Sequence, residues 1–334
     1  MQERFGEVAD PRSVPVAMVH GNPHLDNYAK TGRGAAMVDF DRSRFGPYSY
    51  DIIRFLVSLA VRAGGDRRLL HPVVLVNFKR GYAYGAHGLG HEGVSRLLSK
   101  EPKRWQQSTR AYVSAGGPWA ARLRKHAIDR DDPRIEPLLS SYFESRSELE
   151  LLERFRVKRA AEVAGSMGKK HLVVLLDPND PDEDQRLIDI KETYAEPDTE
   201  WFHNPFPHQG MRMVVAGDLY APGWEVDPGY ATLDGQQYWG RQIPTQKLKL
   251  KTTLPEFEQV DVAFSVASQL GAAHRTSMVD VDNDQHIEHF ESTFNEMVEV
   301  ARHLRRELEL SHALYVREVL QAYEEPALLA GVGG

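Results

Sequence analysis

The stretch HGNPHLDN, from His20 to Asn27, crowds imidazoles, amides and a carboxylate into one short segment, and VDFD, from Val38 to Asp41, adds two more carboxylates soon after. Asn22, Asp26 and Asn27 are expected at the end of one strand, with Asp39 and Asp41 at the end of its partner. Such an arrangement gathers hard oxygen ligands at one point. Oxygen donors that are few, and that leave room for phosphate oxygens, suit Mg²⁺ better than a softer metal. The chemistry served by a metal held this way is phosphoryl or nucleotidyl transfer.

A loop held between strands is needed to position these groups. Val14 to Val19 is a short apolar run of strand type, and Gly21 and Pro23 forbid a helix directly after it. Ala35 to Phe40 is a second apolar run, and the intervening Lys30 to Gly34 is turn chemistry, so the two runs are expected to pair as a hairpin around the loop. Phe45 to Tyr50 should break the chain. Ile52, Ile53, Phe55, Leu56, Leu59 and Ala60 then recur at helical spacing between Asp51 and Arg62. Helical patterns follow over 69–86, 105–126 and 135–155. From Arg156 the pattern becomes strand, glycine turn, strand, acidic loop and strand, a separate antiparallel unit. Met211 to Tyr220 reads as a helix, 236–243 and 246–252 as strands, 257–274 as an amphipathic helix, and 286–310 and 312–323 as closing helices.

Composition narrows the partners. A chain of 334 residues, 41% hydrophobic and 27% charged, can bury two cores in a soluble globular protein. A formal net charge of -7 argues against a nucleic-acid partner, so any anion site has to be local. The absence of cysteine excludes disulfides, thiolate zinc sites and cysteine nucleophiles. The opening residues hold no apolar core of signal-peptide type and no stretch approaches membrane-spanning length, so a cytoplasmic location with no membrane partner is expected.

HGNPHLDN resembles the catalytic loop of protein-kinase-like and aminoglycoside-phosphotransferase-like enzymes, whose pattern is His, any residue, Asp, four residues, Asn; VDFD resembles their metal-binding strand end. More closely, the chain resembles the bacterial family catalogued as domain of unknown function 2252. The blocks that carry this are HGNPHLDNY, VDFDRSRFGPYSYDIIRFLVS, AEVAGSMGKKHLVVLL and LIDIKET, with weaker echoes in HQGMRMV and YWGRQI. In ordinary kinases the glycine loop and lysine precede the catalytic loop, whereas here they follow it. The resemblance thus implies an α+β, protein-kinase-like two-lobed fold with circularly permuted lobe order. Residues 1–155 would be the catalytic-loop and helical lobe, 156–256 the β-rich nucleotide-gripping lobe, and 257–334 helices returning to the helical lobe.

Carried over position by position, the resemblance implies ATP and Mg²⁺ as cofactors. Asn27 and Asp39 would hold the metal, with Asp41 as an additional ligand. Gly165, Ser166, Met167 and Gly168 would form the turn over the phosphates, where backbone N–H groups approach oxygen closely, and Lys191 would be the strand lysine that meets them. His20 would orient the loop and Asp51 pin it. The glutamate partner of Lys191 stays open among Glu192, Glu196 and Glu200.

One position departs from the family pattern. Asn22 stands where the catalytic aspartate belongs, and an amide cannot take the substrate proton, a service typically worth about 10² to 10⁴ in rate. Three readings stand: a pseudokinase, a substitute group such as Asp26 or His24, or an introduced inactivating change. The leading expectation is ATP- and Mg-dependent transfer of a phosphoryl group to a hydroxyl of a small molecule rather than a protein. The alternatives are a nucleotide-binding pseudokinase acting as scaffold or regulator, and AMP transfer.

Overall fold

The computed structural model describes residues 13–31, 34–62, 71–89, 108–165, 168–249 and 256–330. Four short strands open it: β1 (Val16–Val19), β2 (Tyr28–Thr31), β3 (Gly34–Met37) and β4 (Arg44–Pro47). The hairpin expected between the runs at 14–19 and 35–40 is not formed. Instead β1 pairs with β4, and β2 pairs with β3. A single 3-10 turn at Leu25–Asn27 redirects the chain into the additional strand β2, which takes Ala35–Met37 as its partner. The expected break at Phe45 to Tyr50 starts as strand through Pro47 and passes into a helix from Ser49, and Phe45 bridges to His203 on a distant segment.

Helices α1 (Ser49–Arg62) and α2 (Pro72–Ala86) follow. The pattern at 105–126 divides into α3 (Thr109–Ser114) and α4 (Pro118–Lys125), because Gly116 turns the chain at φ 73° between them. The pattern at 135–155 likewise divides into α5 (Ile135–Glu144) and α6 (Leu151–Arg154), with Ser147 at φ 57° in the gap.

The antiparallel unit holds a short strand β5 (Ala127–Ile128) at its edge, then β6 (Phe155–Ala164), β7 (Lys170–Pro178) and β8 (Arg186–Glu192). Helix α7 (Gln209–Tyr220) comes next, followed by β9 (Val226–Leu233) and β10 (Gln236–Gln242). The sheet order is β5-β6-β7-β8-β10-β9, with every neighbouring pair antiparallel. Strand β9 has no counterpart in the sequence reading, since Asp227, Pro228 and Gly229 obscure its alternation. Strand β11 (Lys247–Lys249) joins the edge of β2.

Two long helices close the chain, α8 (Glu256–Ser277) and α9 (Asn283–Ala330). The latter merges the two helices expected at 286–310 and 312–323, since Ser311 and His312 change the polarity of the surface without breaking the backbone. Among the described residues no helix is long and apolar enough to cross a membrane. The protein is α+β.

Two kinds of core result. The first joins β1–β4, α1, α2, α8 and α9 with the C-terminal part of α7 (Ala216 and Tyr220), and Phe55, Phe78 and Phe294 stack in its centre. Helices α2 and α8 approach closely because Gly81 and Gly85 lack side chains; a Cβ on Gly85 would stand 1.9 Å from the Ser268 carbonyl oxygen. The second kind covers the two faces of the large sheet. On one face α5 packs against Val174, Ile188 and Ile190; on the other α3 and α4 pack Tyr112, Ala120 and Leu123 against Val173, Leu175 and Leu187. The helices between 109 and 154 therefore belong with the sheet energetically, although they lie in the helical half of the sequence.

Candidate functional site

The loop at 20–27 is held from beneath by a buried carboxylate. Asp51, in the first turn of α1, accepts from the backbone N–H of His20 at 2.6 Å and of Gly21 at 2.9 Å. The same group receives the Tyr220 hydroxyl at 3.0 Å and His274 Nε2 at 3.2 Å. His20 is also fully buried: Nδ1 accepts from the Asn22 backbone N–H, so the proton sits on Nε2 and is donated to the Val38 carbonyl oxygen. Burial holds this imidazole below its ordinary pKa. Loop and strand end are thereby fixed to one another through main-chain atoms.

Asn27 closes the loop, its amide nitrogen donating to the Asn22 carbonyl oxygen at 3.3 Å. Asp39 is exposed and adopts φ 74°, a left-handed conformation that non-glycine residues take at some cost and that clusters at functional sites. Asp41 lies deeper and pairs with Lys191 of β8, whose ammonium is also 4.0 Å from Asp39. Burial would lower the Lys191 pKa, but Asp41 and Asp39 more than reverse that and hold it protonated. The second oxygen of Asp41, Oδ1, is buried without a hydrogen-bond partner among the described residues.

These four side chains, Asn27, Asp39, Asp41 and Lys191, share the wall of one cavity of about 460 Å³ between the first core and the sheet. Gly165 follows the end of β6 and donates its N–H to the Lys169 carbonyl oxygen, and Gly168, at φ 76°, stands shortly before β7. Ser166 and Met167 lie outside the described residues. Asn22, His24 and Asp26 stand at the loop rather than in the cavity wall. The Asn22 side-chain oxygen accepts from Arg54 at 2.9 Å, and His24 Nδ1 is 3.9 Å from Asp26, with burial and then Arg54 lowering the pKa of His24.

None of the three glutamates considered for Lys191 reaches it. Glu196 is taken by Arg42 at 2.6 Å and Arg44 at 3.1 Å, and Glu192 accepts from the Lys170 backbone N–H. The acidic partner of Lys191 comes from the other wall of the cleft, as Asp41. Helix α7 presents Arg212 instead of an acid. This fully buried guanidinium donates to the backbone oxygens of Asp41 and Ser43, and burial lowers its pKa to about 10.

Several residues of the cavity escaped the sequence reading: His171, Asp189, Glu225, Trp239 and Arg241. The available signal was parity. Asp189 stands two positions before Lys191 on the same strand, so it shares the face of the lysine, and a charged residue inside an apolar strand is informative.

Among the described residues no group of three or more His, Asp or Glu side chains could hold a metal on its own. The donor set is two carboxylates and an amide, a combination that suits a metal completed by ligand oxygens. Fold and site together define an α+β protein with a charged cleft between a helical wall and an antiparallel sheet. Its residues 91–318 match the family described as uncharacterized protein conserved in bacteria (DUF2252), and the chain belongs to that family. The matched stretch holds the glycine turn, Lys191 and Arg241, and starts after the loop and Asp39. No curated protein and no solved structure matches the chain.

Proposed function

We propose that the cleft binds ATP with Mg²⁺ and transfers a phosphoryl group to a hydroxyl of a small molecule, in a protein-kinase-like fold whose lobes are circularly permuted. The observation that carries this reading is the meeting of Asp39 and Asp41 with Lys191, 150 residues after Asp41, in one cavity. Sheet topology supports it. Leaving aside the short edge strand β5, the order is β6-β7-β8-β10-β9, with the glycine turn joining the first two strands and the lysine on the third. Protein kinases likewise carry a glycine-rich loop followed by a lysine on their third strand.

Asp39, Asp41 and Asn27 would hold Mg²⁺, whose chemistry here is neutralisation of charge on the phosphate oxygens. The unpartnered Asp41 Oδ1 fits such a role, and two carboxylates opposite one ammonium leave room for further positive charge. Lys191 would meet the phosphates as a point charge, and the Gly165–Gly168 turn would approach them through its backbone. Asp51 and His20 keep the loop in register with the strand end that carries Asp39.

A second reading is favoured by Asn22. Its amide lacks the basicity of a carboxylate and its oxygen is engaged by Arg54, so the cleft would bind nucleotide and regulate a partner without turnover. Calorimetric titration with ATP, with and without Mg²⁺, tests what both readings share. Binding that needs Lys191 is expected, and a chain that takes up no nucleotide, with Lys191→Ala indistinguishable from wild type, would overturn both.

A further inference from the structure

The sheet wall of the cleft carries a lattice of side chains set by strand register. His171, Lys191 and Trp239 are direct cross-strand neighbours on β7, β8 and β10, and Val173, Asp189 and Arg241 form the adjacent row. Cross-strand partners project from the same face of a sheet, so His171 stands beside Lys191 facing the cavity, which both of them line. A Cβ added at Gly165 would lie 2.8 Å from His171 Nε2, so the imidazole sits against the start of the glycine turn.

We propose that His171 is a second phosphate-contacting cation beside Lys191, oriented by the buried carboxylate of Asp189. The inference rests on the nucleotide reading of the cleft. His171 Nδ1 is 2.7 Å from Asp189 Oδ1, and Asp189 is 1% exposed. Burial pushes that carboxyl up, but the hydrogen bond to His171 and the charges of His171, Arg241 and Lys191 together reverse this and lower it overall. An ionised carboxylate only accepts, so Nδ1 carries the proton, and in the neutral ring Nε2 keeps a lone pair aimed toward the glycine turn. Phosphate oxygen at that place would be met by an acceptor unless the ring takes up a proton. The imidazolium then donates from both nitrogens, to Asp189 and to the phosphate. The charged groups around the ring are Asp189 and Lys191 on β8, Arg241 on β10, and Arg122 on α4, whose guanidinium lies over Trp119, itself in ring contact with His171. Two further donors on the same face of the sheet, Trp239 Nε1 and Arg241 Nε, have no hydrogen-bond partners among the described residues, which suits an anionic ligand.

The test is calorimetry of the full chain with Mg·ATP, repeated in buffers of different ionisation enthalpy, alongside adenosine as a probe without phosphates. Wild type is expected to take up protons on binding Mg·ATP at about pH 7 to 8, as Nε2 gains the proton that it donates to phosphate. His171→Gln should lose that uptake and bind Mg·ATP roughly ten- to a hundredfold more weakly, the range expected for one charge-assisted hydrogen bond, while its affinity for adenosine stays unchanged. Asp189→Asn should likewise abolish the uptake. Mg·ATP binding by wild type without proton uptake, or with equal affinity in His171→Gln, overturns the role of His171 and leaves the nucleotide reading standing. Failure of wild type to bind Mg·ATP at all overturns both.

Discussion

Lys191 and Asp41 close on each other across the cleft from opposite walls, a sheet strand and the turn after Phe40. The ammonium is thereby kept from phosphate, and one of the two Asp41 oxygens, Oδ2, from other cations. On the proposed function, ATP arriving with Mg²⁺ exchanges this pair for two new contacts, whereas ATP alone has to compete with Asp41 for Lys191.

Replacing Asp41 by Asn should therefore invert the metal dependence. Metal-free ATP is expected to bind about tenfold more tightly than to wild type, because Lys191 is released, and the gain from adding Mg²⁺ should shrink. Titrations with and without Mg²⁺ measure both, and an unchanged metal-free affinity would count against the competition.

Asn22→Asp restores a carboxylate at the loop position that Arg54 now engages. If the protein is a phosphotransferase with a handicapped base, ATP consumption should rise by about 10² or more with a suitable hydroxyl acceptor. Tight nucleotide binding with no turnover in the aspartate form would instead select the regulatory reading.

Asp51→Asn leaves the shape of the loop support nearly intact but removes the charge shared by two backbone N–H groups, Tyr220 and His274. Its unfolding free energy should fall by about 3 kcal/mol, as for other broken buried charge networks, measured from urea denaturation. A loss below about 1 kcal/mol would show that the loop is held by other means.

Two glycines at positive φ should respond differently to alanine. At Gly21, φ is 79° and a Cβ would stand 2.0 Å from the Arg42 carbonyl oxygen, so Gly21→Ala should cost more than about 3 kcal/mol by adding a backbone clash to strain. At Gly168, φ is 76° but among the described residues nothing lies within 4 Å, so the same change should cost only about 1 kcal/mol. Thermal denaturation of the pair separates the two effects.

Stability should decline in acid through a buried chain of groups. His274 donates from Nε2 to Asp51, so its Nδ1 accepts from Tyr82, whose oxygen in turn accepts from His286 Nε2, both at 2.8 Å. Nδ1 of His286 is left with no partner among the described residues, and burial, with His274 and His289 nearby, lowers its pKa from 6.5 to about 3. The unfolded chain binds a proton there that the folded chain refuses. The contribution is complete above pH 6.5 and is lost as the pH falls toward 3, at about 1.4 kcal/mol per pH unit. Urea midpoints measured from pH 7 down to about 5 should show this slope, and His286→Gln, which can still donate to Tyr82, should reduce it.

The sequence made some of this legible and hid the rest for physical reasons. Local patterns located α1, α7 and the strands β6 to β8 to within a few residues, because their periodicity is set by the faces they bury. Pairing was harder. The run at 14–19 and the run at 35–40 both look like partners, and only the turn at Leu25–Asn27, with few local signals, decides that they are not. The positions of Asn27, Asp39, Asp41 and Lys191 came from motifs, but the identity of the acid facing Lys191 did not, since that contact depends on how two distant walls meet. His171 lies near the start of its strand with no local signal, and Asp189 becomes telling only once its parity with Lys191 is taken together with its place in an apolar strand.

Arg212 ties helix α7 to the backbone of Asp41 and Ser43, from inside the protein, where its hydrogen bonds cannot be exchanged for water without exposing the guanidinium. Helix α7 therefore has a rivet into the turn that carries Asp41. If the two walls swing apart to admit a ligand, the turn must travel with the helix or the rivet must shear. Motion of α7 would then shift Asp41 and with it the pair to Lys191, and whatever touches the outer surface of that helix has mechanical access to the cleft.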